Sequence, residues 1–334
     1  MGRLRIGIVG LGRIAPAHIR AVKRASDLAE LAAFVSRRHD HAAVLAQQHH
    51  VPKVYDSLDQ VLVADTVDAL VLCSPNHLHA VQAVACARAK RHVLVEKPLA
   101  NSVAEADAMI AAAAQYGVVL MVAQCRRFTE AVRQAKARLE EIGPIRSVVH
   151  TLAVHFPGLA TDWWASAEAT GGLVLGLNGP HVVDTICWFF GQRPTRVQAT
   201  AVRHNQGWEG EDEAALLLDF PGDGIGVGHL SFNANYGVNE RFVVGARGTM
   251  HLTNETRLVV NGEVVVDETY GPYLEGGPNF DAQMREFLTA IRDGRTPMAS
   301  ASEVRTSVEV LEAARRAIRT GCAVELPAVP AAAA

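Results

Sequence analysis

The sequence predicts two successive domains: an N-terminal α/β domain on a doubly wound parallel sheet, and a C-terminal α+β domain with a large, mostly antiparallel sheet. Three observations carry this prediction. Between Leu4 and Val122, short β-branched runs alternate with alanine-rich helical stretches, the pattern of buried parallel strands joined by right-handed crossovers. A glycine turn, Gly10-Leu11-Gly12-Arg13-Ile14-Ala15, separates the first such strand from the first helix. From Ile145 onward the strands become longer, alternate apolar with polar residues, and are divided by short turns, which predicts an antiparallel sheet with one face on helices. The expected domains are 1–123 and 124–327, followed by a frayed tail at 328–334.

Along the first domain, strands are expected at 4–9, 31–35, 69–73, 93–95 and 118–122, and a first helix at 16–24 with Ile19 and Val22 on its apolar side. Ser102-Val-Ala-Glu105 has the spacing of a capping box, and Asn76 after Pro75 is placed to cap a helix. In the second domain a helix through Leu139 ends at Gly143-Pro144, and strands are expected at 197–203, 214–220 and 225–232. Asn261-Gly262 between two valine-rich runs predicts a type I′ hairpin. Helices at 279–293 and 302–320 close the fold.

Bulk composition excludes several function classes. At 334 residues, 49% hydrophobic and 20% charged, the chain can bury a sizeable core in two domains. A formal net charge of -3 gives no electrostatic reason to expect nucleic acid or an anionic membrane as partner. Five cysteines without a Cys-x-x-Cys spacing make neither a disulfide framework nor a zinc ribbon, and a reducing cytoplasm suits them best. No apolar run approaches the roughly 20 residues of a membrane span. His39, His41, His49 and His50 crowd one early helix without the carboxylate or cysteine spacing of a metal site, and are read as a solvated face.

The glycine turn follows a strand and precedes a helix, as dinucleotide binding requires: Gly10 makes the turn, and Gly12 lets the backbone approach a pyrophosphate at the helix N-terminus. This is the Rossmann arrangement. At the end of the second strand, Ser36-Arg37-Arg38 stands where an acidic residue would take both ribose hydroxyls. A hydroxyl and two guanidinium groups suit a 2′-phosphate, so NADP is expected ahead of NAD, the alternative being arginines that merely solvate a helix start. Val93-Leu-Val-Glu96-Lys97-Pro98 halts a buried strand at an acid, a base and a proline. By itself the tripeptide fits a surface turn as well as a catalytic lysine.

With these pieces placed, the chain resembles the glucose-fructose oxidoreductase, inositol dehydrogenase and rhizopine catabolism (Gfo/Idh/MocA) family from Leu4 to about Pro327. The likeness rests on the glycine turn, Cys73-Ser74-Pro75-Asn76-His77-Leu78-His79, Glu96-Lys97-Pro98, Gln124-Cys125-Arg126-Arg127-Phe128, Gly171-Gly172 through His181-Val-Val-Asp184, and Gly245-Ala-Arg-Gly248-Thr249. It implies that Arg13, Ile14, Ser74, Pro75, Asn76, His79, Glu96 and Arg127 lie along NAD or NADP, with Lys97 and His181 at the substrate carbon. Either residue type can take a hydroxyl proton while hydride leaves for the nicotinamide. Trp163, in the pair Trp163-Trp164, is placed either to stack on a sugar or nicotinamide or to pack in a core.

One position departs from the family. An aspartate or asparagine commonly stands four residues before the histidine; here that residue is Leu177, and in an extended segment Asn178 would point to the opposite face. Asp184, one helical turn after His181, is placed to orient the ring or to pair structurally. The expected function is an oxidoreductase acting on a secondary alcohol or ketone of a sugar, sugar derivative or inositol, as a homodimer or homotetramer. The alternatives are a nicotinamide-binding sensor without turnover, and a lyase or hydrolase that uses NAD catalytically.

Overall fold

The computed structural model describes residues 2–327, so the tail expected at 328–334 lies outside the described residues. The chain forms two compact units, each discontinuous in sequence: Met1–Thr129 with Thr269–Arg305, and Glu130–Glu268 with the chain from Thr306.

The first unit carries six strands, β1 (Leu4–Val9), β2 (Ala29–Val35), β3 (Lys53–Tyr55), β4 (Ala69–Leu72), β5 (His92–Val95) and β6 (Leu120–Val122). All pair in parallel, in the order β3-β2-β1-β4-β5-β6. Their connections hold α1 (Ala15–Arg24), α2 (His39–His49), α3 (Leu58–Val63), α4 (His79–Arg88) and α5 (Val103–Tyr116). A sheet covered on both faces needs strands apolar on both sides, and every residue of β4 and β6 is buried. The stretch 269–305 was expected in the second domain and folds with the first instead. Its helix α11 (Pro278–Asp293) carries Phe280, Met284, Phe287 and Leu288 on one stripe, and these share a buried cluster with Ile6, Ile8 and Ile19. Burying each such side chain is worth roughly 1.5 to 3 kcal/mol, enough to fix where the helix docks.

The Ser102–Glu105 capping box forms as expected. Asn76 does not cap a helix: Pro75 already holds the extended backbone (ψ 147°) that starts a 3-10 turn at Asn76–Leu78, and α4 begins only at His79. Strand β3 went unforeseen, because three residues are too few to show a period.

The second unit begins with α6 (Glu130–Ala137) and α7 (Leu139–Ile142), followed by β7 (Ile145–His155), α8 (Ala167–Thr170), α9 (Leu173–Leu177) and α10 (Gly179–Phe190). It continues through β8 (Arg196–Val202), β9 (Glu213–Phe220), β10 (Gly224–Ser231), β11 (Asn233–Gly245), β12 (Thr249–Thr253), β13 (Arg257–Val260) and β14 (Glu263–Asp267). Most of α12 (Ala301–Thr320) and then β15 (Val324–Glu325) complete it. The nine strands run β14-β13-β12-β11-β7-β10-β9-β8-β15, antiparallel throughout except that β7 and β10 are parallel neighbours. The expected hairpin is present, with positive φ at both Asn261 (50°) and Gly262 (90°).

Helix α10, which carries His181, lies on a strip of glycines. A Cβ at Gly224, Gly226 or Gly228 would stand 2.7, 2.8 and 2.9 Å from Phe190, Ile186 and Val182 respectively. Two strand residues advance about 6.6 Å and four helix residues about 6 Å, so alternate glycines of β10 meet every fourth residue of α10 without drifting out of phase. Gly226→Val should therefore cost about 1 to 3 kcal/mol in a urea denaturation series, the usual penalty of overpacking. An unchanged midpoint would contradict this packing.

The opposite face of the sheet carries a row of apolar side chains in register, Leu217 beside Val227, Val227 beside Val149, and Val149 beside Phe242. Leu217, Phe242 and neighbouring Ile225 are exposed. Among the described residues no single helix is long and apolar enough to cross a membrane; the apolar pair formed by residues 167–177 and 179–190 is almost wholly buried from Thr170 to Phe189.

Candidate active site

In the first unit the strand order reverses between β1 and β4, and α/β sheets receive ligands outside the carboxyl ends of the strands at such a point. Gly10 leaves β1 with φ +85°, and a Cβ there would meet the Cys73 carbonyl oxygen at 2.8 Å, so both conformation and the close pass of the β4 loop require glycine. Gly12 differs: nothing lies within 4 Å of where its Cβ would be. The start of α1 has neither a side-chain cap nor an acidic residue in its first turn, which leaves its positive end to an anionic ligand. This open cradle fits the pyrophosphate of a dinucleotide. Arg13 is exposed and Ile14 half-buried beside it.

At the carboxyl end of β2, Ser36 is half-buried and its hydroxyl accepts the Arg38 backbone N–H (3.2 Å). The guanidinium groups of Arg37 and Arg38 are exposed and pair with no group among the described residues.

The ends of β4, β5 and β6 carry seven of the residues the sequence singled out, Ser74, Pro75, Asn76, His79, Glu96, Lys97 and Arg127. Lys97 is half-buried, and burial draws its ammonium pKa below the ordinary lysine value; Arg126 acts in the same direction, while Glu96 and Cys125 oppose them. Glu96 is buried: its Oε1 accepts from His18 Nε2 (2.7 Å) and its Oε2 accepts the Lys97 backbone N–H (3.2 Å). Burial works to raise the Glu96 pKa, but the hydrogen bond from His18, with Lys97 and His79 nearby, outweighs it and the carboxyl lies below its usual value. His79 is fully buried, with Nδ1 2.7 Å from the Pro98 carbonyl oxygen and Nε2 2.9 Å from that of Ser74. The Ser74 hydroxyl donates to Gln82 Oε1 (2.5 Å), Pro75 is half-buried, and Asn76 is buried. Arg127 is buried too, its Nη1 2.9 Å from Glu303 Oε2.

The sequence did not single out His18 or Tyr273, nor the partners Gln82 and Glu303. His18 stands on the buried stripe of α1 at the 15, 18, 19, 22 spacing, a polar residue in an apolar row, which is the signal that would have found it. Tyr273 has no such signal: it comes from a short 3-10 turn at Tyr273–Glu275 and contacts Cys125 Sγ through its hydroxyl (3.1 Å), with Arg126 over its ring at 5.7 Å.

His181 and Trp163 belong to the second unit. His181 is buried on the first turn of α10, and its carbonyl accepts from the Thr185 hydroxyl (2.8 Å). Residues 173–177 are helical, which corrects the extended geometry considered for Leu177 and Asn178. Leu177 is buried in the apolar core, and at neighbouring Gly176 a Cβ would lie 1.9 Å from the Thr170 carbonyl oxygen, so no side chain fits there. Asp184 is buried one turn after His181 and accepts from the Ser307 hydroxyl of α12 (3.5 Å). Trp163 is half-buried and packs edge-on against Trp164, which stacks on Phe232.

The sequence matches two family descriptions in tandem, "Oxidoreductase family, NAD-binding Rossmann fold" over residues 4–124 and "GFO/IDH/MocA C-terminal domain" over 132–251. The chain belongs to the Gfo/Idh/MocA oxidoreductase family, and with it to the nicotinamide-dependent dehydrogenases. Myo-inositol 2-dehydrogenase of Thermotoga maritima is 27% identical over 98% of this chain and 99% of that protein. Trans-1,2-dihydrobenzene-1,2-diol dehydrogenase of Macaca fuscata fuscata is 30% identical over 94% and 97%. Among solved structures, GenD2 from gentamicin A biosynthesis in complex with NAD superposes with a TM-score of 0.88 at 26% identity, over 98% and 97% of the two chains.

Proposed function

We propose that this protein transfers hydride between NADP(H) and a secondary alcohol or ketone of a sugar, sugar derivative or inositol, with Lys97 moving the hydroxyl proton. The observation that carries this reading is the position of Lys97, half-buried beside Glu96 at the carboxyl end of β5, on the same end of the sheet as a glycine cradle with room for a pyrophosphate; burial there draws its pKa down. The nicotinamide, when bound, supplies the hydride chemistry. The chain supplies the rest: Gly10 and Gly12 admit the phosphates, Glu96 fixes the Lys97 backbone, and the Lys97 amine accepts the alcohol proton in oxidation and returns it in reduction. His181 is assigned the positioning of a substrate hydroxyl by family likeness, and relatives that act on myo-inositol and on a dihydrobenzene diol favour a polyhydroxylated substrate. Screening sugars and polyols with both cofactors tests the assignment: NADPH or NADH must accumulate with at least one polyol, and a complete absence of turnover would leave a nicotinamide-binding sensor.

A reducing, cytoplasmic setting goes with this proposal, since all five cysteines are free. So does self-association. The in-register row of Leu217, Val227, Val149 and Phe242 is an apolar strip on a sheet face, suited to the same strip of a second copy. Light scattering at micromolar protein should give the mass of a dimer or tetramer, and Phe242→Asp should lower it; a monomeric mass for the unaltered protein would defeat the idea.

A further inference from the structure

We infer that His79 is a positioning residue for Lys97, a buried ring that bridges the Ser74 and Pro98 carbonyls through both nitrogens only while it is doubly protonated, rather than a group that touches the dinucleotide. Its ring is fully buried, and both nitrogens face oxygen atoms that can only accept, Pro98 at 2.7 Å from Nδ1 and Ser74 at 2.9 Å from Nε2. A neutral imidazole has one N–H and would set a bare nitrogen lone pair against one of these carbonyls. The geometry is that of the doubly protonated ring.

The consequence for Lys97 follows from chain connectivity. Glu96 and Pro98 flank it, and each is gripped by a buried histidine: His18 holds the Glu96 carboxylate, and His79 holds the Pro98 carbonyl. His79 also ties this loop to Ser74 on the neighbouring β4 loop, so one ring joins the segment that carries the lysine to the segment expected along the cofactor. Among the described residues, Glu96 and Lys97 are the charged groups that act on the ring. Burial pulls the His79 pKa below the ordinary histidine value, and the two carbonyls and Glu96 hold the proton against it. Loss of that proton must therefore cost one of the two contacts, and with it part of the hold on the segment that carries Lys97.

Nitrogen-15 spectra of histidine-labelled apoprotein test the charge state directly, with the His79 signals identified by their loss in His79→Gln. At mildly acid pH both ring nitrogens should carry protons, and as pH rises their titration should coincide with shifts in the backbone signals of Ser74 and Leu99. One unprotonated nitrogen throughout, with the backbone signals unmoved, would overturn the inference. This part is independent of Lys97's proposed role, whereas the positioning consequence rests on it. His79→Gln should leave NADH and NADPH binding by fluorescence nearly unchanged, whereas loss of a direct ligand would weaken it about tenfold. In methyl-labelled lysine spectra the Lys97 signal should follow the same acid-range titration in the unaltered protein, and His79→Gln should abolish that response. Weakened cofactor binding, with a Lys97 signal that does not respond to pH in that range, would make His79 a cofactor ligand and end the proposal.

Discussion

Lys97→Met should lower kcat about 10² to 10⁴-fold, or roughly 3 to 5 kcal/mol of barrier, while leaving the affinity for NADP(H) nearly intact. The size follows from removing a positioned proton-transfer group. Retained cofactor affinity follows because the cradle is built from Gly10, Gly12 and the start of α1, none of which depends on the lysine side chain. The pH dependence has a definite sign. Oxidation needs the neutral amine, so its rate should rise with pH through the Lys97 pKa, and burial puts that rise below the pH of an ordinary lysine. Reduction needs the ammonium, so its rate should fall through the same pKa. Both limbs should vanish in Lys97→Met. Full turnover in that variant, or loss of NADP binding instead, would move the role to His181.

The second large effect is cofactor choice. NADP(H) should bind roughly ten- to a hundredfold more tightly than NAD(H), because one good charge-assisted hydrogen bond to a 2′-phosphate is worth about 1.5 to 3 kcal/mol. Arg37 and Arg38 stand exposed beyond β2 with no other partner among the described residues, so neither must break an ion pair to make that bond. Their exposure also screens the contact, which sets the lower end of the range. Arg37→Ala should weaken NADP and spare NAD, as titration of each cofactor would show. Equal affinity for both cofactors, unchanged by the substitution, would contradict it.

Five of the six strands of the first sheet were legible because they are short apolar runs at regular intervals, and the Gly10 turn was legible because its chemistry is local. The capping box at Ser102 and the hairpin at Asn261-Gly262 were legible for the same reason. What the sequence concealed was long-range. Helix α11 is some 270 residues from β1, and only the fold shows that Phe280, Met284, Phe287 and Leu288 cover the first sheet. The His18–Glu96 bond spans 78 residues and the Tyr273–Cys125 contact 148, distances at which no local spacing rule operates. His79 shows a different limit. Its motif marked it as important, but only its burial and two carbonyl partners show that its ring faces the protein. The helical path through Leu177 was hidden as well, since a run of glycines and leucines suits a strand or a helix equally.

The most direct test of the central assignment is cofactor stoichiometry. Purified protein and its Lys97→Met variant are given a panel of sugars, sugar derivatives and inositols with NADP or NAD, and reduced cofactor and organic product are measured together. The account predicts one NADPH or NADH formed per ketone formed, with the variant slower by two or more orders of magnitude. Product without any net change in the cofactor would contradict it, and would make the protein a lyase or hydrolase that borrows a hydride and returns it.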